Sequence, residues 1–280
     1  MMFSPLHEFG LSSDVLVWEA LFLTTLSLGV GVLGGFVGLA LGSIRLPFLL
    51  LLGLPSGLAA GTNIIISAAS AATSSISHLK GGRIDRHLII YMGIPSVVGG
   101  FLGGFYSDRA HDGLLLLLVG SLLTWQGLEF TIRGLGQAHK EDQSTIRTRS
   151  STTAAWLRKR QRSVEVGSGL GVGILGGAVG LVLGGTRLPI LIRLLKVDPR
   201  TAAGSGSLIG VMLGVMGFAG HLSRGNVDYP LVILMGTTAM IGGYFGAKYT
   251  GQVSRDRLVF VMGAVLIVMG SAMVWRAFHA

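Results

Sequence analysis

The chain has 280 residues, half of them hydrophobic and only 12% charged, and its mean hydropathy of +0.67 is well above that of water-soluble domains. The apolar residues form runs of about 20, the length that a helix needs to cross a bilayer, so the sequence predicts an all-α integral membrane protein. The absence of cysteine excludes disulfides, thiolate metal sites and thiol nucleophiles. The net charge of +9 lies largely in one linker and at the ends of apolar runs, which favours membrane orientation over nucleic-acid binding.

In chain order, a glycine-rich apolar run at 15–42 leads to Arg45-Leu46-Pro47 and a short apolar piece at 46–54. A piece of about nine residues cannot cross a bilayer as a helix, so the run and the piece together predict a broken re-entrant hairpin. Three full spans are predicted after it, at 58–79, 87–106 and 113–132. After a basic linker the same order returns, with a glycine run at 166–185, a short piece at 190–197, and spans at 201–222, 229–249 and 258–275. About eight apolar helices result.

The two halves also match residue by residue. Four pairs fall in register, at an offset of 142 or 143 residues: Arg45 with Arg187, Pro47 with Pro189, His78 with His221, and Asp85 with Asp228. Compositional bias can align glycines, but it does not align Arg, Pro, His and Asp as well. We therefore predict two tandem repeats, with an N-terminal tail at 1–14, repeat 1 at 15–133, a basic linker at 134–163 and repeat 2 at 164–280.

The distribution of basic residues predicts how the repeats are oriented. The linker is rich in Lys and Arg, which places it in the cytoplasm by the positive-inside rule. If each hairpin enters and leaves on one side, each copy crosses the membrane three times and the copies are inverted. That arrangement leaves only Arg109, Arg224 and Arg276 on the outer side, whereas a parallel repeat would put Lys196, Arg200, Lys248, Arg255 and Arg257 there. We predict an inverted repeat in the inner membrane.

Arg45 and Arg187 are the main candidates for a binding site, because each lies at the predicted break of a hairpin. A guanidinium at membrane depth costs about 3 kcal/mol or more unless it faces a cavity or a partner. Two of them near the midplane would form a cationic site for a planar or tetrahedral oxyanion. The alternative is that each side chain reaches the headgroups or pairs with a carbonyl at a helix end.

Residues around these breaks are predicted to line the same site. Gly42 and Gly184 close the glycine tracts and would expose backbone N–H groups to an anion, although close helix packing also explains them. Thr62, Asn63 and Ser205 open the next apolar runs and would add hydroxyl and amide groups near a positive helix end. The hydroxyls of Thr62 and Ser205 could equally bond their own helix backbone.

The matched His and Asp residues at the membrane edge favour helix capping over a proton relay or a metal site. Each of these loops holds one His and one Asp, too few ligands for a dedicated metal centre. No carboxylate falls in the middle of a span, and Glu129 lies four residues before Arg133, where a local ion pair explains it. No nucleotide-binding or hydrolase motif is present. The sequence predicts no catalytic residue, metal or cofactor, and thus a protein that is not an enzyme.

These residues together resemble the TauE/SafE sulfite exporter family. The resemblance rests on the glycine tracts that end at Pro47 and Pro189, on the Ala-Ala-Gly-Thr and Ala-Ala-Gly-Ser helix openings, and on the segment His221 to Asp228 with its partner at 78–85. It implies transport of small sulfur-containing or organic anions without nucleotide hydrolysis. The arginine two residues before each proline departs from the aliphatic residue common in the family, which makes an anion more plausible and leaves the substrate open.

The sequence therefore predicts a transporter that moves a small anion across the inner membrane by alternating access without ATP hydrolysis. Its expected partners are the anion and the lipid bilayer, with no nucleic acid, and the oligomeric state stays open. Two other functions fit the same residues. One is a passive anion channel on the same scaffold, and the other is a membrane assembly or scaffold protein that has no substrate.

Overall fold

A computed structural model of the chain describes residues 4–9, 13–37, 41–135, 161–248 and 255–279. Within these ranges the main elements are all helices, which confirms the predicted all-α class. They are α1 (Val17–Val37), α2 (Gly42–Leu51), α3 (Ser56–Lys80), α4 (Arg86–Leu88, continued by a π turn at Ile89–Gly93 and by Ile94–Tyr106), α5 (Asp112–Gly134), α6 (Gln161–Val179), α7 (Gly184–Pro189, continued by a π turn at Ile190–Leu194), α8 (Pro199–Leu222), α9 (Tyr229–Lys248) and α10 (Arg255–Ala277). Most of the predicted linker lies outside the described residues.

Six stretches of the described residues are long and apolar enough to cross a membrane. They are Val17–Gly35, Arg86–Arg109, Asp112–Gly134, Pro199–Leu222, Tyr229–Gly246 and Leu258–Ala277. Helix α3, a predicted span, is not among them although it is 25 residues long. Polar residues along the helix lower its hydropathy, among them Thr62, Asn63 and Ser67, and these three are buried. Polar groups that face protein are tolerated at membrane depth.

Two pairs of helices lie side by side in parallel, α1 with α9 and α4 with α6. Residue numbers rise together along each pair: Leu28 contacts Gly242 and Val32 contacts Gly246, while Gly99 contacts Leu170 and Gly103 contacts Ile174. In both pairs a glycine lies directly on the backbone of the partner. Such close approach is typical of membrane helices, where small residues let the backbones meet.

The chain turns back on itself twice within the bundle. Helix α3 also runs parallel to α9, since Thr62 contacts Asp228 and Ile66 contacts Gly236, so α1 and α3 point the same way. Residue numbers also rise together along the contacts of α4 with α6 and of α4 with α8. Helices α6 and α8 therefore point the same way as well. Helices α2 and α7 must therefore return the chain, and ten residues of helix span about 15 Å, half of a hydrocarbon core. These are the two predicted re-entrant hairpins.

Helices at corresponding places in the two halves run in opposite directions. Helix α3 is antiparallel to α8, and α5 is antiparallel to α10. The contacting pairs are His78 with Gly204, Ala68 with Gly214 and Gly61 with His221 in the first case, and Gly120 with Gly270 and Gly127 with Gly263 in the second. An inverted repeat predicts this relation, and the geometry favours it over a parallel one. The duplication itself stays a prediction from the sequence.

The short helices begin earlier than we expected. We placed their starts at Leu46 and Ile190, just after the two arginines, because residues before a proline disfavour helix. Helix α2 instead begins at Gly42 and α7 at Gly184, so both arginines and both prolines lie within the helices. The arginines are therefore held by helical backbone, and the chain breaks lie before the glycines.

The backbone of the second hairpin explains this earlier start. Gly180 and Leu183 both have positive φ, 72° and 50°, and the left-handed backbone at these positions ends α6 and separates it from α7. For a leucine this conformation costs about 1 kcal/mol, so surrounding contacts must hold it. Pro189 removes one helical hydrogen bond, and the helix continues past it as a π turn.

Helix α6 carries two glycines that test the close packing of the parallel pairs. A Cβ at Gly177 would overlap the carbonyl oxygen of Gly100 on α4, whereas a Cβ at Gly171 would meet nothing within 4 Å. We expect Gly177→Ala to lower the free energy of unfolding by about 1–3 kcal/mol, since the atoms that the new methyl group would meet belong to the backbone of Gly100, which cannot move aside easily. Gly171→Ala is the matched control and should be neutral or slightly stabilising, because alanine favours helix.

Thermal unfolding of the two variants in detergent measures this difference. A melting temperature for Gly177→Ala equal to that of Gly171→Ala would contradict the direct backbone contact between α4 and α6.

Candidate functional site

The two chain breaks meet at a small hollow inside the protein. Its walls are residues 41–43 of the first hairpin and 181–185 of the second, together with Ser67, Gln126 and Phe130. Gly42 and Gly184, both predicted to line the site, lie in these walls. The volume of the hollow is about 20 Å³, little more than a single water molecule requires. The hollow therefore lies between the two halves of the chain, at the place where each of them stops being helical.

Asn63 holds the two breaks together. Its Nδ2 donates to the carbonyl oxygens of Gly42 and Gly180, each at 3.0 Å, so one amide group reaches both hairpins. The side chain is fully buried, and its Oδ1 has no hydrogen-bond partner within the described structure. Gly42 must be a glycine here, because a Cβ would overlap the Ser67 hydroxyl that follows Asn63 by one turn. Asn63 thus combines a structural bond with a free acceptor.

Arg45 is fully buried and bonds to hydroxyl groups. Its Nη1 donates to Ser27 Oγ of α1 at 3.4 Å, and its Nη2 donates to Ser67 Oγ of α3 at 3.2 Å. Ser67 lines the hollow, so Arg45 lies one side chain away from it. The expectation that the side chain reaches the headgroups does not fit a residue that is 1% exposed.

Arg187 is also fully buried, at 0% exposure, but it has fewer partners. Its Nη1 donates to the carbonyl oxygen of Gly206 on α8 at 3.1 Å, while Nε and Nη2 have no partner in the described structure. No carboxylate among the described residues pairs with Arg187 or with Arg45. The two guanidiniums contact different helices, and a direct facing pair stays a prediction.

Thr62 and Ser205 have a different role from the two that we considered. Neither hydroxyl lies among the residues that line the hollow. Instead Thr62 Oγ1 accepts from the backbone N–H of Asp228 at 3.0 Å, and Ser205 Oγ accepts from the backbone N–H of Asp85 at 2.9 Å. Each hydroxyl therefore joins its helix to a loop of the other half, and the two bonds occupy corresponding positions.

Asp85 and Asp228 cap the helices that follow them, as expected. Asp85 Oδ1 accepts from the N–H of His87, and Asp228 Oδ1 accepts from the N–H of Leu231. His221 is buried and bridges two helix ends, with Nε2 2.8 Å from the carbonyl oxygen of Gly177 and Nδ1 3.3 Å from Ser107 Oγ. Within the described residues no cluster of three potential metal ligands occurs.

Comparison with known proteins places this helical bundle in a family. The model of the family described as sulfite exporter TauE/SafE matches residues 23–273, nearly the whole chain. The chain belongs to the TauE/SafE family. No solved structure is significantly similar to it.

Curated relatives of this TauE/SafE chain are described as probable membrane transporter proteins. YunE of Bacillus subtilis (strain 168) is 24% identical over 270 residues, which cover 91% of this chain and 97% of YunE. YdhB of the same organism is 27% identical over 229 residues, 81% of this chain and 88% of YdhB. A protein of Xylella fastidiosa (strain 9a5c) is 25% identical over 256 residues, 87% and 93% of the two chains. The matches extend across both predicted repeats.

Two polar residues of this TauE/SafE protein escaped the sequence analysis. Gln126 of α5 is buried in the wall of the hollow and donates to Thr186 Oγ1 at 3.3 Å. A glutamine in the middle of an apolar run is a signal for a buried polar contact that the sequence shows. Glu165 of α6 is fully buried, 2.9 Å from Gln161 Nε2 and 3.4 Å from His87 Nδ1. It lies just before the apolar run, where no pattern distinguishes a buried acid from an exposed one.

The ion pair predicted between Glu129 and Arg133 is confirmed, with an N–O distance of 2.9 Å. Arg193 of the second hairpin approaches the same carboxylate at 3.5 Å. Arg193 follows Arg187 by less than two helical turns in the same hairpin. Its side chain is nevertheless half exposed, whereas that of Arg187 is buried. It provides a matched control for the buried arginines.

Asn63 allows a test of the link between the hairpins. We expect Asn63→Ala to lower the free energy of unfolding by about 2 kcal/mol or more, because two buried carbonyl groups lose their donor. Ser70→Ala on the same helix is the control, since within the described part of the chain Ser70 Oγ bonds only to Ile66 O of its own helix. Thermal unfolding in detergent provides the measurement, and equal melting temperatures would contradict the linking role of Asn63.

Proposed function

We propose that this chain transports a small anion across the inner membrane by alternating access, without ATP hydrolysis, and that the anion binds beside the hollow between the two hairpins. The family is one of membrane transporters, which supports transport in general. The site would comprise Arg45 and Arg187 and the backbone at Gly42 and Gly184, and Asn63 would hold the two hairpins together beside it. Thr62 and Ser205 would hold the two halves around it.

The observation that carries this proposal is the burial of two guanidiniums with no counter-charge among the described residues. A buried charge without an ionic partner is costly, and proteins keep such groups where a ligand supplies the missing charge. Arginine donors suit oxygen-rich anions such as carboxylates and sulfur oxyanions. Together with the family description as a sulfite exporter, this chemistry supports a small sulfur-containing or organic anion as the substrate.

The size of the hollow supports a mechanism that includes movement. The hollow has room for little more than one water molecule, and a sulfur oxyanion is several times larger than water, so binding requires the hairpins to separate. Two broken helices that meet at mid-membrane, in helices of opposite direction, are typical of transporters that open to each side in turn. The left-handed backbone at Leu183 is a strained element at the point where such a change would begin.

The orientation follows from the charges. The basic linker would lie in the cytoplasm. Helix α6 follows the linker and points the same way as α8, so the start of α8 would lie on the cytoplasmic side. Arg83 would lie there too, because its carbonyl group packs against Gly204 at the start of α8. Arg224, which pairs with Asp108, would lie at the outer surface. An accessibility scan with single introduced cysteines can verify this orientation, since the chain has no cysteine of its own.

Uptake of labelled sulfite into proteoliposomes tests the proposal. We expect saturable uptake by the wild-type protein. In the double variant Arg45→Gln/Arg187→Gln the uptake should fall about tenfold or more, because the bound anion would lose both of its positively charged partners. Arg193→Gln is the control and should retain most of the uptake, because Arg193 is half exposed and lies at the end of its hairpin.

Three results would separate the proposal from its rivals. Unchanged uptake in the double variant would remove the site. Absence of uptake of any tested anion by the wild type would favour an assembly or scaffold protein. Single-channel currents, without accumulation of anion against its gradient, would favour a passive channel.

A further inference from the structure

The two arginines occupy corresponding positions but have different surroundings. Arg45 contacts Ser27 on α1 and Ser67 on α3. The residues of the second half that correspond to these serines are Gly169 on α6 and Gly210 on α8. Contacts define this correspondence: Ser27 Oγ bonds the carbonyl oxygen of Met235, and a Cβ at Gly169 would overlap the carbonyl oxygen of Met92. A Cβ at Gly210 would lie 3.5 Å from Arg187 Nη1, as Ser67 lies beside Arg45. Both hydroxyls are absent from the second half.

The serines complete the hydrogen bonding of Arg45. Ser27 donates its proton to Met235 O at 2.7 Å, and Ser67 donates to Asn63 O at 2.8 Å. Each hydroxyl oxygen is therefore left to accept from Arg45, one from Nη1 and one from Nη2. Only Nε of Arg45 stays unpaired in the described structure. Each two-nitrogen edge of this guanidinium therefore includes at least one nitrogen that is already bonded to a serine.

Arg187 keeps a complete pair of donors free. Its bond to Gly206 uses Nη1, while Nε and Nη2 are buried and unpaired. These two nitrogens form one edge of the planar guanidinium and point their N–H groups the same way, the geometry that binds two oxygens of one anion. A Cβ added at Gly210, which would lie near Nη1, would also be 2.6 Å from Val182 Cγ1, and Val182 lines the hollow. The guanidinium of Arg187 thus lies near the place where the hairpins meet.

We infer that the Nε–Nη2 edge of Arg187 is the binding group for an oxyanion with at least two oxygens on one atom, such as a sulfite, sulfonate or carboxylate, and that Arg45 is a positioning residue. This inference rests on the proposed function, since it assigns the roles within that site. Arg45 ties α2 to α1 and α3 through the two serines. The pseudo-equivalent arginines thus divide binding and structure between them.

Lysine substitutions separate these roles, because lysine keeps the charge but loses the two-donor edge. Binding is measured as the rise in melting temperature of the purified protein with sulfite, and independently as sulfite uptake. We expect Arg187→Lys to raise the Kd for sulfite about tenfold or more, with little change in the melting temperature without anion. We expect Arg45→Lys to lower the melting temperature without anion and to change the Kd less than about threefold.

A second substitution keeps the test decisive if a lysine variant does not fold. Methionine replaces the buried guanidinium by an apolar side chain of similar length. Arg187→Met should melt at the wild-type temperature or above, because it removes an unpaired buried charge, and it should lose the response to sulfite. Arg45→Met should melt below the wild type, because Ser27 and Ser67 lose their donor. Chloride is the control probe, since it has no pair of oxygens, and it should bind at least about tenfold more weakly than sulfite.

Different outcomes test the proposed function and the division of roles between the arginines. If the wild type neither binds nor takes up sulfite, sulfonates or carboxylates, the proposed function fails and the inference fails with it. If the wild type transports sulfite but Arg45→Lys weakens binding as much as Arg187→Lys, only the division of roles is overturned. Equal affinity for chloride and sulfite would overturn the two-oxygen edge. A response to sulfite retained in Arg187→Met would remove Arg187 as the ligand.

Discussion

The amide of Asn63 bonds to both places where the chain stops being helical within the bundle. Backbone groups released at a helix break need partners when no water is available, which is why broken helices occur at membrane depth only inside protein. The same amide fixes the distance between the two hairpins, and with it the position of the hollow. The two arginines, one turn into each short helix, are placed by the helix starts that Asn63 helps to hold.

The outline of this arrangement could be predicted from the sequence. Runs of about 20 apolar residues gave the spans at 201–222 and 229–249, which agree closely with α8 and α9. The short pieces after Arg45 and Arg187 indicated hairpins, since nine residues cannot cross a bilayer. Matching residues in the two halves drew attention to the same two arginines, and both are buried. Length and polarity carry this information because lipid imposes them on any chain that crosses it.

The finer features depend on neighbours distant in sequence. Thr62 looked equally suited to a cavity or to its own helix, and its partner is the backbone N–H of Asp228, 166 residues away. The starts of α2 and α7 were misplaced because proline signals were weighed above the left-handed backbone at Leu183, a conformation that no leucine pattern predicts. The different surroundings of Arg45 and Arg187 depend on serines and glycines from four other helices, so matching sequence alone made the two arginines look equivalent.

The parallel pairs α1 with α9 and α4 with α6 each take one helix from either half of the chain. The first helix of each half therefore packs against a helix of the other half, α1 on α9 and α6 on α4. A fragment that ended at the linker would fold its remaining spans around an empty groove and expose the glycine face of its own first helix to lipid. The smallest autonomous unit of this architecture is then two halves together, whether covalently joined or supplied as separate chains.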